Sequence, residues 1–296
     1  MLATGTEGGG GHIFPEPIAS HVPAHLRAHT NDDIDLAKLR GKRVGILGAG
    51  ASAFDIAIAA LDAGATSVDL CFRRPRLPEE NPRRWMETAG FLPNFSSLPD
   101  AKKWSYLQRL YSIGQPPPLP TFQRAASLPG FRMQPGTPWE RCLYDDSDTI
   151  TVESGDRRFT FDFVIAGTGI SADLAMRPEF NDIRSDIALW SDRYDPPPGL
   201  QHPVLGRFPY LGPFAEFTAK VAGTAPYLSR IHFLGRTSTL SLGAVAASNS
   251  ALKYIGPLAM RGVTRTLMLD QSEMDWNEFI TRRHEERAPQ AEVKQS

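Results

Sequence analysis

The sequence predicts an α/β fold built on a parallel sheet, and three observations carry that prediction. Residues 43–47, Arg-Val-Gly-Ile-Leu, form the short apolar run of a buried strand. Gly48-Ala49-Gly50 makes a sharp turn, and the small and apolar residues of 51–63, stopped by Gly64, read as a helix. A second apolar run at 67–72 closes at Arg73-Arg74-Pro75 and completes a β-α-β unit.

Bulk properties narrow the class. The 296 residues give room for two domains of ~150 each or one elaborated domain. Hydrophobic residues at 41% and charged residues at 22% fit a globular chain and exclude a disordered or fibrous one. Lys and Arg total 32 against 33 Asp and Glu, so the net charge of -1 creates no field for nucleic acid or an anionic membrane. Cys71 and Cys142 lie far apart in no paired motif, which argues against a disulfide framework or a zinc finger. The most apolar window, 45–65, is interrupted by Asp55 and Asp62 and does not read as a membrane span. The start, Met1-Leu2-Ala3-Thr4-Gly5, lacks the pattern of a signal peptide, so a cytoplasmic protein acting on a small molecule is expected.

Three regions separate along the chain. The first, to about residue 39, holds the run Gly8-Gly9-Gly10-Gly11 and a polar stretch with His21, His25 and His29. In the second, the β-α-β unit is followed by a polar, proline-interrupted stretch that predicts a helical insertion over about 76–138. Residues 149–153 and 158–165 then flank Ser154-Gly155-Asp156 as a hairpin. The third opens at Ala166-Gly167-Thr168-Gly169 and carries a strand at 231–235. A small-residue helix over roughly 243–255 and a polar helix with a frayed tail from 272 complete it.

The most specific chemical signal is Gly48-x-Gly50-x-x-Ala53 between a strand and a helix. The first glycine permits the turn, and the second lets backbone approach a pyrophosphate. The third position stays small so that helix and strand can pack. Phosphates would then meet free N–H groups at the helix's positive end, with Ser52 in the first turn as a further donor. An ordinary tight turn is the simpler alternative. Where a site for NAD usually carries an acidic residue on the ribose, this chain has Arg73 and Arg74. Two guanidinium groups suit a 2′-phosphate, which favours NADP, although arginines on a solvated edge would look the same.

Other patterns are weaker. His21, His25 and His29 would align on a helix and could hold zinc, but Pro23 interrupts them, and no metal site is expected. Gly50-Ala51-Ser52-Ala53 partly matches a hydrolase nucleophile elbow, yet Phe54 stands where the motif needs glycine. Gly235 with Thr237-Ser238-Thr239, ahead of a helix, could face a second anionic cofactor or simply pack.

The order of these motifs resembles the flavin-containing monooxygenases and their Baeyer–Villiger relatives. It runs Ala3-Thr4-Gly5, His29, the 41–53 segment, Arg73-Arg74-Pro75, and 162–169. The resemblance implies a Rossmann-like NAD(P)-binding domain inserted into an FAD-binding domain through two crossovers, at Ala3-Thr4-Gly5 and Gly167-Thr168-Gly169. It places Thr4, Gly5, His29, Thr168 and Gly169 beside the cofactors, with Gly48, Ala49, Gly50, Ser52, Ala53, Arg73 and Arg74 on NADP. The family's FAD fingerprint is not among these residues, so the FAD-binding domain is expected to be partial, as in a fragment. The implied division is 1–40 as FAD-domain remnant and first linker, 41–165 as NADP domain, and 166–296 as second crossover and C-terminal FAD-domain part. The implied chemistry is reduction of FAD by NADPH, after which reduced flavin activates oxygen; no side chain is assigned as catalytic. A truncated NADP-binding module or pseudoenzyme without turnover remains the alternative.

Overall fold

A computed structural model describes residues 1–5, 8–12, 14–145, 147–244, 246 and 248–282. In chain order the elements open with β1 (Gly10–His12), α1 (Glu16–His21), β2 (Arg27–His29), β3 (Arg43–Leu47), α2 (Ala51–Asp62) and β4 (Ser67–Phe72). The middle contains α3 (Arg83–Met86), α4 (Asp100–Ile113), α5 (Leu119–Ser127), β5 (Phe131–Pro135) and β6 (Arg141–Asp145). Then come β7 (Thr149–Ser154), β8 (Arg157–Phe161), β9 (Phe163–Ala166), β10 (Ile170–Ala172), α6 (Pro203–Gly206), α7 (Thr239–Leu242) and α8 (Leu252–Thr281).

The predicted unit is the centre of a five-stranded sheet in the order β2-β9-β3-β4-β5, and every ladder in it is parallel. Strands buried on both faces need apolar residues throughout, which explains the short continuous runs in the sequence. Their side chains alternate between two cores. Val44, Ile46, Val68, Leu70 and Ile165 pack with Phe54 and Ala57 of α2 on one face. Cys71, Val164 and Ala166 pack on the other with Trp139, Phe161 and Ile18. That second face is covered by α1 and by the antiparallel sheet β6-β7-β8. At Gly45 a Cβ would stand 2.5 Å from the Phe161 ring, so the strand needs glycine where the antiparallel sheet presses closest.

A third core joins Met86, Leu92, Phe95, Trp104, Leu107 and Leu110 of the insertion to residues 172–259, around Trp190, Phe217 and Phe233. Within the insertion, α3 and α4 thus pack on the C-terminal third, whereas α5 stays on the parallel sheet with Ala125 and Phe122 against α2. Leu2 bridges in parallel to Phe233, its N–H donating to the His232 carbonyl at 2.7 Å. The glycine run holds this join: a Cβ on Gly9 would lie 2.0 Å from Thr237 Oγ1, and one on Gly235 2.9 Å from the Gly8 carbonyl oxygen.

Three expectations need correction. Residues 158–165 are not one hairpin arm; the chain turns at Asp162 and divides into β8, on the antiparallel sheet, and β9, on the parallel one. The Asp162 carboxylate accepts from the Arg43 backbone N–H at 2.7 Å and from its guanidinium, and the Asp162 N–H donates to the Arg43 carbonyl at 2.8 Å. Residues 131–135, placed within the insertion, form the edge strand β5 against β4. The small-residue helix expected over 243–255 does not start at its expected beginning: α7 ends at Leu242, and Gly243 adopts a φ of 114°, outside helical geometry. A Cβ there would meet Leu92 Cδ1 at 2.5 Å. The helix begins later, at Leu252, and runs as α8 to Thr281; the frayed tail expected beyond it lies outside the described residues from 283 on. No helix of the described residues is long and apolar enough to cross a membrane.

Arg43 holds Asp162 below the ordinary carboxylate range, chiefly through the side-chain hydrogen bond. A lowered folded-state pKa stabilises above the unfolded value of about 3.9, and the gain disappears as pH falls through the folded value. Asp162→Ala should therefore lower stability to urea by about 1–2 kcal/mol at neutral pH, with the gap to wild type closing in acid below that value.

Candidate functional site

A cleft of about 540 Å³ opens at the C-terminal ends of β3 and β4, lined by Gly48, Ala49 and Gly50 on one side and Arg73, Arg74 and Arg76 on another. Ligands of open parallel sheets enter at this end, beside the strand ends. Gly48 has a φ of 134°, and a Cβ on it would stand 2.2 Å from the Gly167 carbonyl oxygen. Any side chain here would push the turn away from the segment that follows β9. Gly50 differs: its φ of -78° suits any residue, and a Cβ would meet no protein atom within 4 Å. What glycine preserves at position 50 is open space in front of the turn.

Helix α2 starts at Ala51 without a side-chain cap on Gly50. The Ala53 and Phe54 N–H groups donate to the Gly50 carbonyl, which leaves the N–H groups of Gly50, Ala51 and Ser52 outside the helical ladder. Those donors and the positive end of the helix dipole could receive an anion, since the first turn of α2 carries no carboxylate. Ser52 is exposed in the first turn, and its hydroxyl has no partner among the described residues, so no base activates it as an elbow would require. Ala53 is buried; a Cβ on Gly167 would stand 2.9 Å from the Ala53 methyl, so both positions must stay small together.

The two arginines read as a pair have different surroundings. Arg74 lines the cleft, but its guanidinium donates to the carbonyls of Ile113, Ser112 (3.0 Å) and Tyr111 (3.3 Å), the open end of α4. This is a cation at a helix C-terminus, where the dipole favours it. Arg73 is exposed, lines the same cleft and makes no ion pair among the described residues. Sequence reasoning missed Arg76, three residues on, and also Gln115, just after α4, and Pro138 and Trp139, after β5, which line the cleft. The charge of Arg76 was visible, but nothing local signalled the other three.

Thr168 lines the cleft as well, and Gly169 follows it with a φ of 81°. His29 is fully buried at the end of β2; its Nε2 lies 3.0 Å from the Gly169 carbonyl oxygen, and Nδ1 accepts from the Asn31 N–H at 3.3 Å. These partners make Nε2 the protonated nitrogen. The ring stacks on His12 at 4.4 Å and ties the two linkers together instead of reaching the cleft. His21 ends α1, His25 is exposed on the following turn and His29 is in a strand, so the three share no face. Thr4 and Gly5 lie by the 233–235 segment, away from the cleft, with Thr4 Oγ1 buried and unpartnered among the described residues. Cys71 borders the turn inside the sheet, where burial pushes its thiol up to about 11; it is a neutral packing group.

With this geometry in place the relatives become informative. No protein-family model matches the chain. It is 40% identical over 273 residues to an FAD-dependent urate hydroxylase of Xanthomonas campestris pv. campestris, an alignment covering 92% of this chain and 58% of that protein. The chain is thus similar to an FAD-dependent hydroxylase along nearly its whole length. It spans a little over half the length of that curated relative. Solved structures share the fold at low identity. The FAD-bound cadaverine monooxygenase of desferrioxamine biosynthesis from Erwinia amylovora matches with a TM-score of 0.61 at 14% identity, over 86% of this chain and 59% of that one. The ornithine hydroxylase of Pseudomonas aeruginosa matches at 0.57 and 16% identity, over 85% and 60%. The fold is therefore that of flavoproteins with two dinucleotide-binding domains, as the sequence predicted.

The two glycines of the turn should separate on substitution. Gly48→Ala forces a Cβ onto the Gly167 carbonyl and should cost about 2–4 kcal/mol in chemical denaturation, whereas Gly50→Ala should change stability by no more than about 0.5 kcal/mol.

Proposed function

We propose that this chain provides the NADPH-binding part and the C-terminal portion of the flavin domain of an FAD-dependent monooxygenase that acts on a small molecule. The observation that carries this reading is the cleft in which the uncapped start of α2, the open space before Gly50 and the unpaired Arg73 converge. A dinucleotide fits those features. Its pyrophosphate would lie on the N–H groups of Gly50, Ala51 and Ser52, with the Ser52 hydroxyl in reach of the same edge. Arg73 would take the 2′-phosphate with Arg76 nearby, and Arg74 would shape the wall by fixing the end of α4. Phe72, Pro138 and Trp139 would cover the apolar side and exclude water.

Residues 41–165 are read as the NADP domain, with 1–40 and 166–296 as the flanking parts of the FAD domain. The Leu2–Phe233 bridge supports this division, because it joins the two flanking parts in one sheet-like pairing. When bound, FAD would supply the redox chemistry and oxygen activation. Thr4, Gly5, Thr168 and Gly169, at the two crossovers, would face it, with His29 holding the second crossover in place through Gly169. The relative's FAD dependence and its urate substrate support this reading and make urate the first candidate to assay. We place the protein in the cytoplasm, where NADPH is regenerated and the free thiols of Cys71 and Cys142 stay reduced.

A second reading, an NADP-binding module without turnover, is favoured by the close packing of Gly8–Gly10 against Thr237 and Ser171, which leaves little room between those segments. Oxidation of NADPH by the purified chain with added FAD decides between them: flavin-dependent consumption supports the oxidoreductase, and binding without consumption supports the module.

Arg73→Ala should weaken NADP+ binding by about tenfold to a hundredfold while leaving NAD+ binding and thermal stability unchanged. Arg74→Ala should instead lower stability, because the carbonyls ending α4 lose their donors. Calorimetric titration with both nucleotides, paired with melting curves, checks both outcomes.

A further inference from the structure

A second cleft, of about 550 Å³, lies between α3, α4 and the segment that follows Gly235. Gln115 lines both this cleft and the first, so the two are neighbours along one surface. Three arginines line it: Arg83 and Arg84 of α3, and Arg236. Its one carboxylate, Glu87, accepts from the hydroxyls of Ser250 at 2.8 Å and Ser248 at 3.3 Å and reaches none of the three. No ion pair involves Arg83, Arg84 or Arg236 among the described residues. Three positive charges thus face one negative charge that is bound elsewhere.

The two inner arginines are the informative ones. Arg83 is half-buried; one terminal nitrogen donates to the Ala244 carbonyl at 2.9 Å, and its Nε is buried with no acceptor among the described residues. Burial pushes its pKa down, and the neighbouring charge of Arg236 lowers it further. Like charges held together out of water are costly unless a counter-charge joins them. An unused N–H donor in the same place costs more still. The opposite wall carries Leu107 and Tyr111, whose ring packs edge-on against His202 at 5.0 Å. The cleft therefore pairs a cationic floor with a flat apolar wall.

We propose that this cleft is the substrate pocket and takes a small planar organic anion, its oxyanion edge on Arg83 and Arg236 and its ring against Tyr111 and Leu107. The proposal rests on the monooxygenase reading for the word substrate, while the site itself rests on the arginine pair alone. Guanidinium forks grip a planar oxyanion through paired hydrogen bonds, which a neutral ring of the same shape cannot match. Urate, a monoanion at neutral pH, meets that description, and inorganic pyrophosphate represents the other source of oxyanions, the phosphates of a dinucleotide.

The test is calorimetric titration of the whole chain at neutral pH and physiological salt with urate, hypoxanthine and inorganic pyrophosphate, each against wild type, Arg83→Gln and Arg236→Gln. Urate should bind saturably, and each substitution should weaken it by about tenfold or more. Hypoxanthine, flat but uncharged, should bind wild type about tenfold more weakly than urate. Unchanged NADP+ binding by the two variants shows that they are folded. Absence of urate binding to wild type, equal binding of hypoxanthine, or urate binding untouched by both substitutions overturns the proposal. Preferential binding of pyrophosphate that is lost in Arg236→Gln also overturns it, by assigning the pair to a dinucleotide. Failure of wild type to bind NADP+ while urate still binds would sink the NADPH reading and leave this pocket standing.

Discussion

The site depends on one close approach. The turn after β3 and the segment after β9 touch through backbone, with Gly48 against the Gly167 carbonyl and the Ala53 methyl against the Gly167 Cα. A side chain on Gly48 or Gly167 would separate the strand pair that carries the cleft, or lift α2 from the sheet. Because the contact lies at the C-terminal ends of adjacent parallel strands, it also fixes which way the start of α2 points. The direction of the helix dipole, the free N–H groups and the position of Thr168 all follow from it.

Electrostatics then divides labour along a short basic stretch. Arg74 commits its donors to the end of α4, a helix that belongs to the C-terminal core, and so connects the end of β4 to the other half of the molecule. Arg73 is left without a partner. Adjacent residues on a strand end point in opposite directions, which is why two arginines that look alike in sequence have different neighbours in space. In the second cleft the division is between helices: α3 presents cations and α4 presents Leu107 and Tyr111.

How much of this was legible in the sequence depended on range. The β-α-β unit could be read because its signals are local: an apolar run, two glycines at fixed spacing and a small residue at Ala53. Gly243 ends α7 with a φ that composition does not record, and the position must stay glycine because Leu92, far away in the chain, occupies the space of a Cβ. Asp162 split an apparent hairpin arm because Arg43, over a hundred residues earlier, holds it from both backbone and side chain. The commitment of Arg74 to α4, and the meeting of Arg83 with Arg236, are likewise products of tertiary packing that no local pattern records.

The most direct measurement is hydrogen–deuterium exchange of the backbone with and without NADP+. Bound dinucleotide should slow exchange across residues 48–53, where the Gly50, Ala51 and Ser52 N–H groups are open, and leave the antiparallel sheet of 141–161 unchanged. Unaltered exchange across 48–53 under saturating nucleotide, with protection found elsewhere, would contradict a pyrophosphate seated on the start of α2.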